Sequence, residues 1–313
     1  MVKKIVITGA SGFVGQNALH FFEDSGYECI SVSRKSHKFS NSRNIGYDNL
    51  ESVLKTDYSV LAIIHSAGKA HDIRENSNSV EYYRANTVLT QQVFDAFLQS
   101  NASVFIYLSS VKALADKADS ILTEDMQPKP FTDYGKSKLA AEEYLQKQIL
   151  PFGKRLYILR PSMIYGPGNK GNLNLLYKFV NKEIPWPLGA FENQRSYCSI
   201  ENLLFVVNEL IERDSIPSGV YHVADDISLS TNDLISIIAE SLNRKPKIWE
   251  ISKFFIRSIA KFGSLFRLPL NEERLQKLTE SYVVSNAKIK SAIGKPFPVI
   301  SKDGLLKTFK SFQ

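Results

Sequence analysis

An α/β fold with a doubly wound parallel sheet is expected from three features of the chain. Short β-branched runs alternate with helix-periodic segments through the first half, as in sheets covered by helices on both faces. The first of these runs meets a glycine-rich turn and then a helical pattern. The length, 313 residues with 43% apolar and 23% charged, leaves ample material for a large buried core.

The elements can be justified in order. Val2 to Thr8 reads as a buried parallel strand. Gly9-Ala10-Ser11-Gly12-Phe13-Val14-Gly15 then opens a helix carrying Leu19, Phe21 and Phe22. Strand, glycine turn and helix is the setting in which such a motif binds a dinucleotide. Gly9 would allow the tight turn, Gly12 the approach of backbone to pyrophosphate, and Gly15 close helix–strand packing. Unpaired N–H groups at the helix start would face the phosphates. A second strand, Tyr27 to Ser33, runs into Ser33-Arg34-Lys35 where dinucleotide folds often place a carboxylate for the ribose hydroxyls. Cations there suit a 2′-phosphate and argue for NADP, with NAD possible; a basic surface loop is the alternative.

Asn44 to Tyr47 reads as a third strand, with Asp48 opening a brief helix, and Val60 to His65 as a fourth, ending in His65-Ser66-Ala67-Gly68. A helical pattern covers Val80 to Gln99. Val104 to Leu108 is a fifth strand, with Ser109-Ser110 at the carboxyl end where open parallel sheets bind ligands. A helix capped by Thr132 or Asp133 carries Tyr134 and Lys138. Arg155 to Leu159 is a sixth strand, terminated by Pro161. Beyond it, Gly166-Pro167-Gly168 and Lys170-Gly171 mark loops, and short strands such as Tyr197 to Ile200 and Val220 to Val223 alternate with helices. The expected division is a dinucleotide-binding Rossmann domain over 1–165 and a smaller α/β substrate-binding lobe over 166–313, with the chain crossing between them.

Net charge is +7, with Lys and Arg spread along the chain, which fits solubility and phosphate binding and gives no nucleic-acid footprint. Cys29 and Cys198 make neither a disulfide framework nor a metal cluster. No signal peptide and no membrane-spanning apolar run is visible, so a cytoplasmic protein is expected. Ile251 to Leu268 forms a basic amphipathic pattern. Such a helix can lie on a membrane, but packing on its own domain or a partner subunit is the favoured reading.

Tyr134 and Lys138, four apart in Tyr134-Gly135-Lys136-Ser137-Lys138, share one helix face. A cation beside a phenol pulls its pKa down toward neutrality and makes it usable for proton transfer. With the glycine loop and Ser110, this pair resembles the extended branch of the short-chain dehydrogenase/reductase superfamily, whose members act on nucleotide sugars. The likeness spans nearly the whole chain. It includes the Thr8 to Gly15 loop, His65-Ser66-Ala67-Gly68, Asn86, Arg160-Pro161, Tyr165-Gly166-Pro167-Gly168 and Arg195-Ser196-Tyr197.

The resemblance implies that Tyr134 is the acid/base, that Lys138 lowers its pKa and holds the nicotinamide ribose, and that Ser110 orients the substrate oxygen. It implies cofactor contacts at Gly9, Ser11, Gly12, Phe13, Val14, Gly15, Ala67, Gly68, Asn86 and Pro161, with Asp48 bordering the adenine. Asn172, Arg195 and Arg274 would meet the substrate diphosphate. Two departures stand out: no acid at Ser33, and Ser196 in place of the acid of an Arg-Asp-Tyr run. The expected activity is NAD(P)-dependent chemistry at C4 of a UDP-sugar. Reduction of a UDP-4-keto-6-deoxy-N-acetylhexosamine for surface polysaccharide is favoured over 4-epimerisation of UDP-glucose or UDP-N-acetylglucosamine. Val111 and Lys112 after Ser110 argue against a 4,6-dehydratase, and the retained tyrosine–lysine pair against a non-catalytic NADP-sensing regulator. A homodimer through the helices after the fourth and fifth strands is also implied.

Overall fold

The computed structural model describes residues 2–34, 42–69, 79–169, 171–266 and 271–312. Seven parallel strands form the main sheet: β1 (Lys4–Thr8), β2 (Glu28–Val32), β3 (Arg43–Ile45), β4 (Val60–His65), β5 (Val104–Leu108), β6 (Arg155–Pro161) and β9 (Gly219–Val223). Their spatial order is β3-β2-β1-β4-β5-β6-β9. The chain moves outward from β1 through β2 to β3, then returns to the other side of β1 with β4. The β1/β4 edge is therefore the point where the winding reverses, and the carboxyl ends of these strands flank the crevice in which such sheets bind ligands.

Period-two alternation decides which helices cover which face. Ile5, Ile7, Ala62, Ile64, Val104 and Ile106 pack under α1 (Phe13–Asp24), α7 (Ile200–Glu212) and α11 (Ala287–Ile293). The residues between them, Val6, Ile63, Phe105 and Tyr107, pack under α2 (Leu50–Thr56), α4 (Leu89–Leu98) and α5 (Asp133–Lys147). Burial on both faces is why these strands read as continuous apolar runs.

Most expected elements appear, with three differences. The fourth and fifth strands fall where the sequence places them, and the ends of the other expected strands move by at most two residues. β6 runs two residues past Leu159 and ends on Pro161 itself, in register with Val223, a position where a missing N–H costs no ladder bond. A separate two-stranded sheet, β7 (Met163–Tyr165) with β8 (Tyr197–Ser199), was not foreseen as such. The helix after β4 is interrupted: α3 (Ser79–Tyr82) and α4 are joined by a π-helical turn at Tyr83–Val88.

The second half supplies β9, α7 and α11 to the main sheet, so it does not form a lobe separate in topology. The rest of it, α6 (Asn172–Asn181), α8 (Thr231–Ser241), α9 (Lys253–Leu265), α10 (Glu272–Thr279) and α12 (Ser301–Lys310), gathers around β7 and β8 and around Trp186 and Leu188. Among the described residues no helix is long and apolar enough to cross a membrane.

The glycine loop shows why two of its positions tolerate nothing larger. Gly9 has φ +69°, and a Cβ there would lie 2.6 Å from the Ala67 nitrogen at the end of β4. A Cβ on Gly15 would lie 2.3 Å from the Gly9 carbonyl oxygen and 2.7 Å from the Ala10 Cα. Both obstacles are backbone, so side-chain rotation cannot relieve them. Gly15→Ala is therefore expected to cost about 1–3 kcal/mol through overpacking, read as a lowered urea midpoint, and to weaken dinucleotide binding in the same titration series.

Candidate active site

Helix α5 carries three functional side chains at i, i+4 and i+8: Tyr134, Lys138 and Glu142. The sequence starts this helix firmly. Thr132 Oγ1 accepts from the Gly135 N–H at 3.1 Å, and buried Asp116 in turn binds the Thr132 N–H and hydroxyl at 2.9 and 2.8 Å. Gly135 lets the first turn lie against the loop after Ser110, since a Cβ would stand 2.5 Å from the Lys112 carbonyl oxygen. This brings Tyr134 to Ser110: the two hydroxyls are hydrogen-bonded. Ser110 also caps the short 3-10 turn at Val111–Ala113 by accepting from the Lys112 N–H at 3.2 Å.

The electrostatics differ from the expected pattern. Burial pushes the Tyr134 hydroxyl above its usual pKa, the Ser110 hydrogen bond opposes this, and Tyr82, whose ring meets it edge-on at 6.1 Å, adds to it. Lys138 is not among the groups that shift it. The Lys138 ammonium donates instead to the Leu108 carbonyl at 2.9 Å and sits 4.9 Å over the Tyr107 ring. Burial lowers Lys138 to about 8, with the Glu142 carboxylate holding it up.

Glu142 is fully buried and paired with Arg160, whose Nε lies 3.1 Å from both carboxylate oxygens and whose Nη2 lies 2.6 Å from Oε2. The Ser109 hydroxyl donates to the same carboxylate. The glutamate was not singled out from the sequence, and Arg160 was noted only in the Arg160-Pro161 landmark, although the four-residue step from Lys138 to Glu142 was there to be read.

The other expected residues divide by what they touch. Gly68 packs against this machinery, because a Cβ would stand 2.7 Å from Asn86 Oδ1 and 3.2 Å from Lys138 Nζ. Asn86, in the π turn, accepts from the Lys69 N–H at 2.7 Å and donates to Ser137 Oγ at 3.0 Å, tying the segment after β4 to α5. His65 is held between Thr8 Oγ1 at 2.6 Å and Thr90 Oγ1 at 3.0 Å, and burial with Lys138 pushes it down to about 3, so it is neutral. Ser11 and Gly12 are exposed on the loop, Phe13 and Val14 half-buried, Asp48 exposed after β3, and Pro161 buried at the end of β6. Arg34 is exposed at the end of β2. Tyr47, which the sequence did not mark, reaches the Thr8 hydroxyl and Gly9 backbone and feels the Arg34 charge. Lys35 lies outside the described residues.

The substrate-side residues are less gathered. Asn172 is exposed at the first position of α6, and Arg274 is exposed in the first turn of α10. Arg195 is committed within the chain: its guanidinium donates to the Lys277 and Glu280 carbonyls and pairs with the Glu280 carboxylate at 3.4 Å, closing the end of α10. It still lies on the Ser110 side. Burial lowers the Lys112 ammonium, Asp116 and Glu280 oppose the shift, and Arg195 adds to it.

A glycine loop with exposed backbone, a glycine cradle beside a buried lysine, and a tyrosine joined to a serine fit a nicotinamide dinucleotide. The sequence model of the NAD dependent epimerase/dehydratase family matches residues 5–224. The chain belongs to this family. Its curated relatives include a UDP-glucose 4-epimerase of Vibrio cholerae, 29% identical over all of this chain and 96% of that protein. Another, a UDP-2-acetamido-2,6-beta-L-arabino-hexul-4-ose reductase of Pseudomonas aeruginosa, is 30% identical over 55% of this chain and 38% of that protein. Among solved structures, the Bordetella bronchiseptica enzyme WbmG in complex with NAD and UDP superposes with a TM-score of 0.78, covering 100% of this chain and 95% of that one at 17% identity, a likeness of fold. The chain is thus an enzyme of the NAD-dependent nucleotide-sugar epimerase and reductase group.

Two outcomes follow for Glu142→Gln. Leaving Arg160 buried without its counter-charge should destabilise the fold by about 3–5 kcal/mol, measured by urea unfolding. Lys138 is charged below about 8 and loses its proton above it, so any step that needs the ammonium should fall off as pH rises through that value. Removing the carboxylate that raises Lys138 should move this limb of the kcat/KM profile to lower pH.

Proposed function

We propose that the chain reduces the C4 ketone of a UDP-linked 4-keto-6-deoxy-N-acetylhexosamine with NADPH, in the synthesis of surface polysaccharide. The observation that carries this reading is the end of β2. The strand closes at Val32, Ser33 is buried, and Arg34 stands exposed where an NAD-specific fold would present a carboxylate. A guanidinium there favours a 2′-phosphate. NADP-linked enzymes of this group suit net reduction, whereas an epimerase retains its dinucleotide and returns the hydride.

The chemistry of Tyr134 points the same way. When bound, the nicotinamide supplies the hydride to C4, and the protein must supply the proton to the oxygen. Ser110 donates to that oxygen and sets its position. Tyr134, kept protonated by burial, is poised as an acid, the role that ketone reduction requires. Lys138 would hold the nicotinamide ribose, while Glu142 keeps Lys138 charged and Asn86 fixes the segment bearing Gly68 against it. Lys112, on the same side as Ser110, offers positive charge to the substrate diphosphate, with Asn172 and Arg274 as outer contacts. A homodimer through α4 and α5 is part of the same proposal.

A second reading, 4-epimerisation, is favoured by the full-length match to the Vibrio cholerae epimerase. Incubation with the 4-keto-6-deoxy sugar nucleotide should consume NADPH in preference to NADH. Interconversion of UDP-N-acetylglucosamine and UDP-N-acetylgalactosamine without added cofactor would instead establish the epimerase. Tyr134→Phe should lower kcat by about 10²–10⁴-fold with little change in NADPH affinity. Arg34→Asp should weaken NADPH binding about 10–100-fold, the loss of a charge-assisted contact, and leave NADH binding largely intact.

A further inference from the structure

The Ser110–Tyr134 pair hangs on one short segment, residues 111–116. Ser110 leads into the turn at Val111–Ala113, where the Ala113 N–H donates to the Ser110 carbonyl at 2.9 Å. The Leu114 and Ala115 N–H groups close it on the Val111 carbonyl at 3.0 and 3.2 Å. Asp116 holds the other partner. Its carboxylate accepts from Phe131 and Thr132, and Thr132 caps the helix that carries Tyr134. A shift of this segment would therefore disturb the pair at both ends.

A brace on the segment comes from the far half of the chain. Tyr282 is buried, and burial with the Asp116 and Glu280 charges raises its pKa, so it stays a phenol with one proton to give. That proton goes to the Ala115 carbonyl at 2.6 Å, with the Val111 carbonyl at 3.3 Å as the longer arm, so one hydroxyl spans the turn. The Lys112 ammonium lies 4.4 Å over the ring and donates to the Asp116 carbonyl at 2.6 Å, which packs the middle of the turn on the same side chain. Tyr282 is itself fixed by its backbone. Its N–H donates to the Gln194 carbonyl at 2.7 Å, and its carbonyl accepts from the Ser196 N–H at 3.0 Å. It thus runs beside Arg195, whose guanidinium closes the end of α10. The sequence does not mark this link, because 167 residues separate Tyr282 from Ala115.

We propose that Tyr282 is a positioning residue: its hydroxyl fixes the 111–116 turn, and through it the placement of Ser110 against Tyr134, from the side of the chain that carries Arg195 and α10. The inference rests on the reading of Ser110 and Tyr134 as catalytic, and is the same whether the sugar is reduced or epimerised. Tyr282→Phe removes the hydroxyl and keeps the ring under Lys112. Tyr221, on β9, supplies a matched control: its hydroxyl donates to the Pro217 carbonyl at 2.7 Å, and the Lys288 ammonium lies 4.8 Å over its ring. Both Tyr→Phe variants lose a buried hydroxyl–carbonyl bond and should lower the urea midpoint alike. Turnover is measured on whichever reaction the enzyme carries out and counted per dinucleotide-binding site, which removes any unfolded fraction. Tyr282→Phe should lower kcat about 10-fold, with substrate KM and dinucleotide Kd within about twofold of wild type. Tyr221→Phe should leave kcat unchanged. The proposal is overturned if Tyr282→Phe keeps the wild-type kcat, if its loss appears in KM alone, or if Tyr221→Phe loses as much. Tyr134→Phe in the same series separates the two readings. Activity retained there overturns the catalytic assignment and the positioning role with it, whereas an inactive Tyr134→Phe beside a fully active Tyr282→Phe overturns the positioning role alone.

Discussion

Glu142 is the group on which the active end of the sheet depends, because three elements converge on one carboxylate. Arg160 reaches it from β6, Ser109 from the end of β5, and Lys138 sits one turn away on the same helix. A buried carboxylate without partners would be costly, and so would a buried guanidinium; together they are tolerable only in this arrangement. The pair therefore specifies where α5 lies against β5 and β6. With α5 fixed, Tyr134 meets Ser110 and Lys138 meets the Leu108 carbonyl. The catalytic geometry is thus set from below, by a contact that touches no substrate.

The same arrangement divides the work between the two catalytic side chains. Tyr134 is held as a phenol by burial, and Lys138 is drawn down to about 8 by burial with Glu142 in opposition. Neutral His65, clamped by Thr8 and Thr90, supplies shape and no charge. The substrate side is built on a different principle, with Arg195 spent on closing α10 and Lys112 half-buried against Tyr282.

Much of this was legible in the sequence because it is local. The glycine loop, Ser110 at the end of β5, and Tyr134 with Lys138 are patterns of a few residues, and periodicity put the strands within a few residues of their places. Glu142 was not legible as a core group because a glutamate two turns into a helix looks solvent-facing, and its partner Arg160 lies on another element. Arg195 looked free for phosphate because nothing in its neighbourhood announced the end of α10, more than 80 residues on. On α9 the sequence shows two apolar rows at identical spacing, and only tertiary packing decides which is inside. The three-residue strand β7 is too short to show alternation at all, so nothing marked it as the partner of the strand read at Tyr197.

The π turn at Tyr83–Val88 carries a further meaning. It holds one residue more than a regular helix of its length, and that surplus aims Asn86 at Lys69 and Ser137. Deleting a residue of the turn ahead of Asn86 would restore regular winding and swing Asn86 by about 100°, away from both. Most chains absorb a lost residue best in a surface loop and worst in a core strand; here the least forgiving place for a deletion is a stretch of helix.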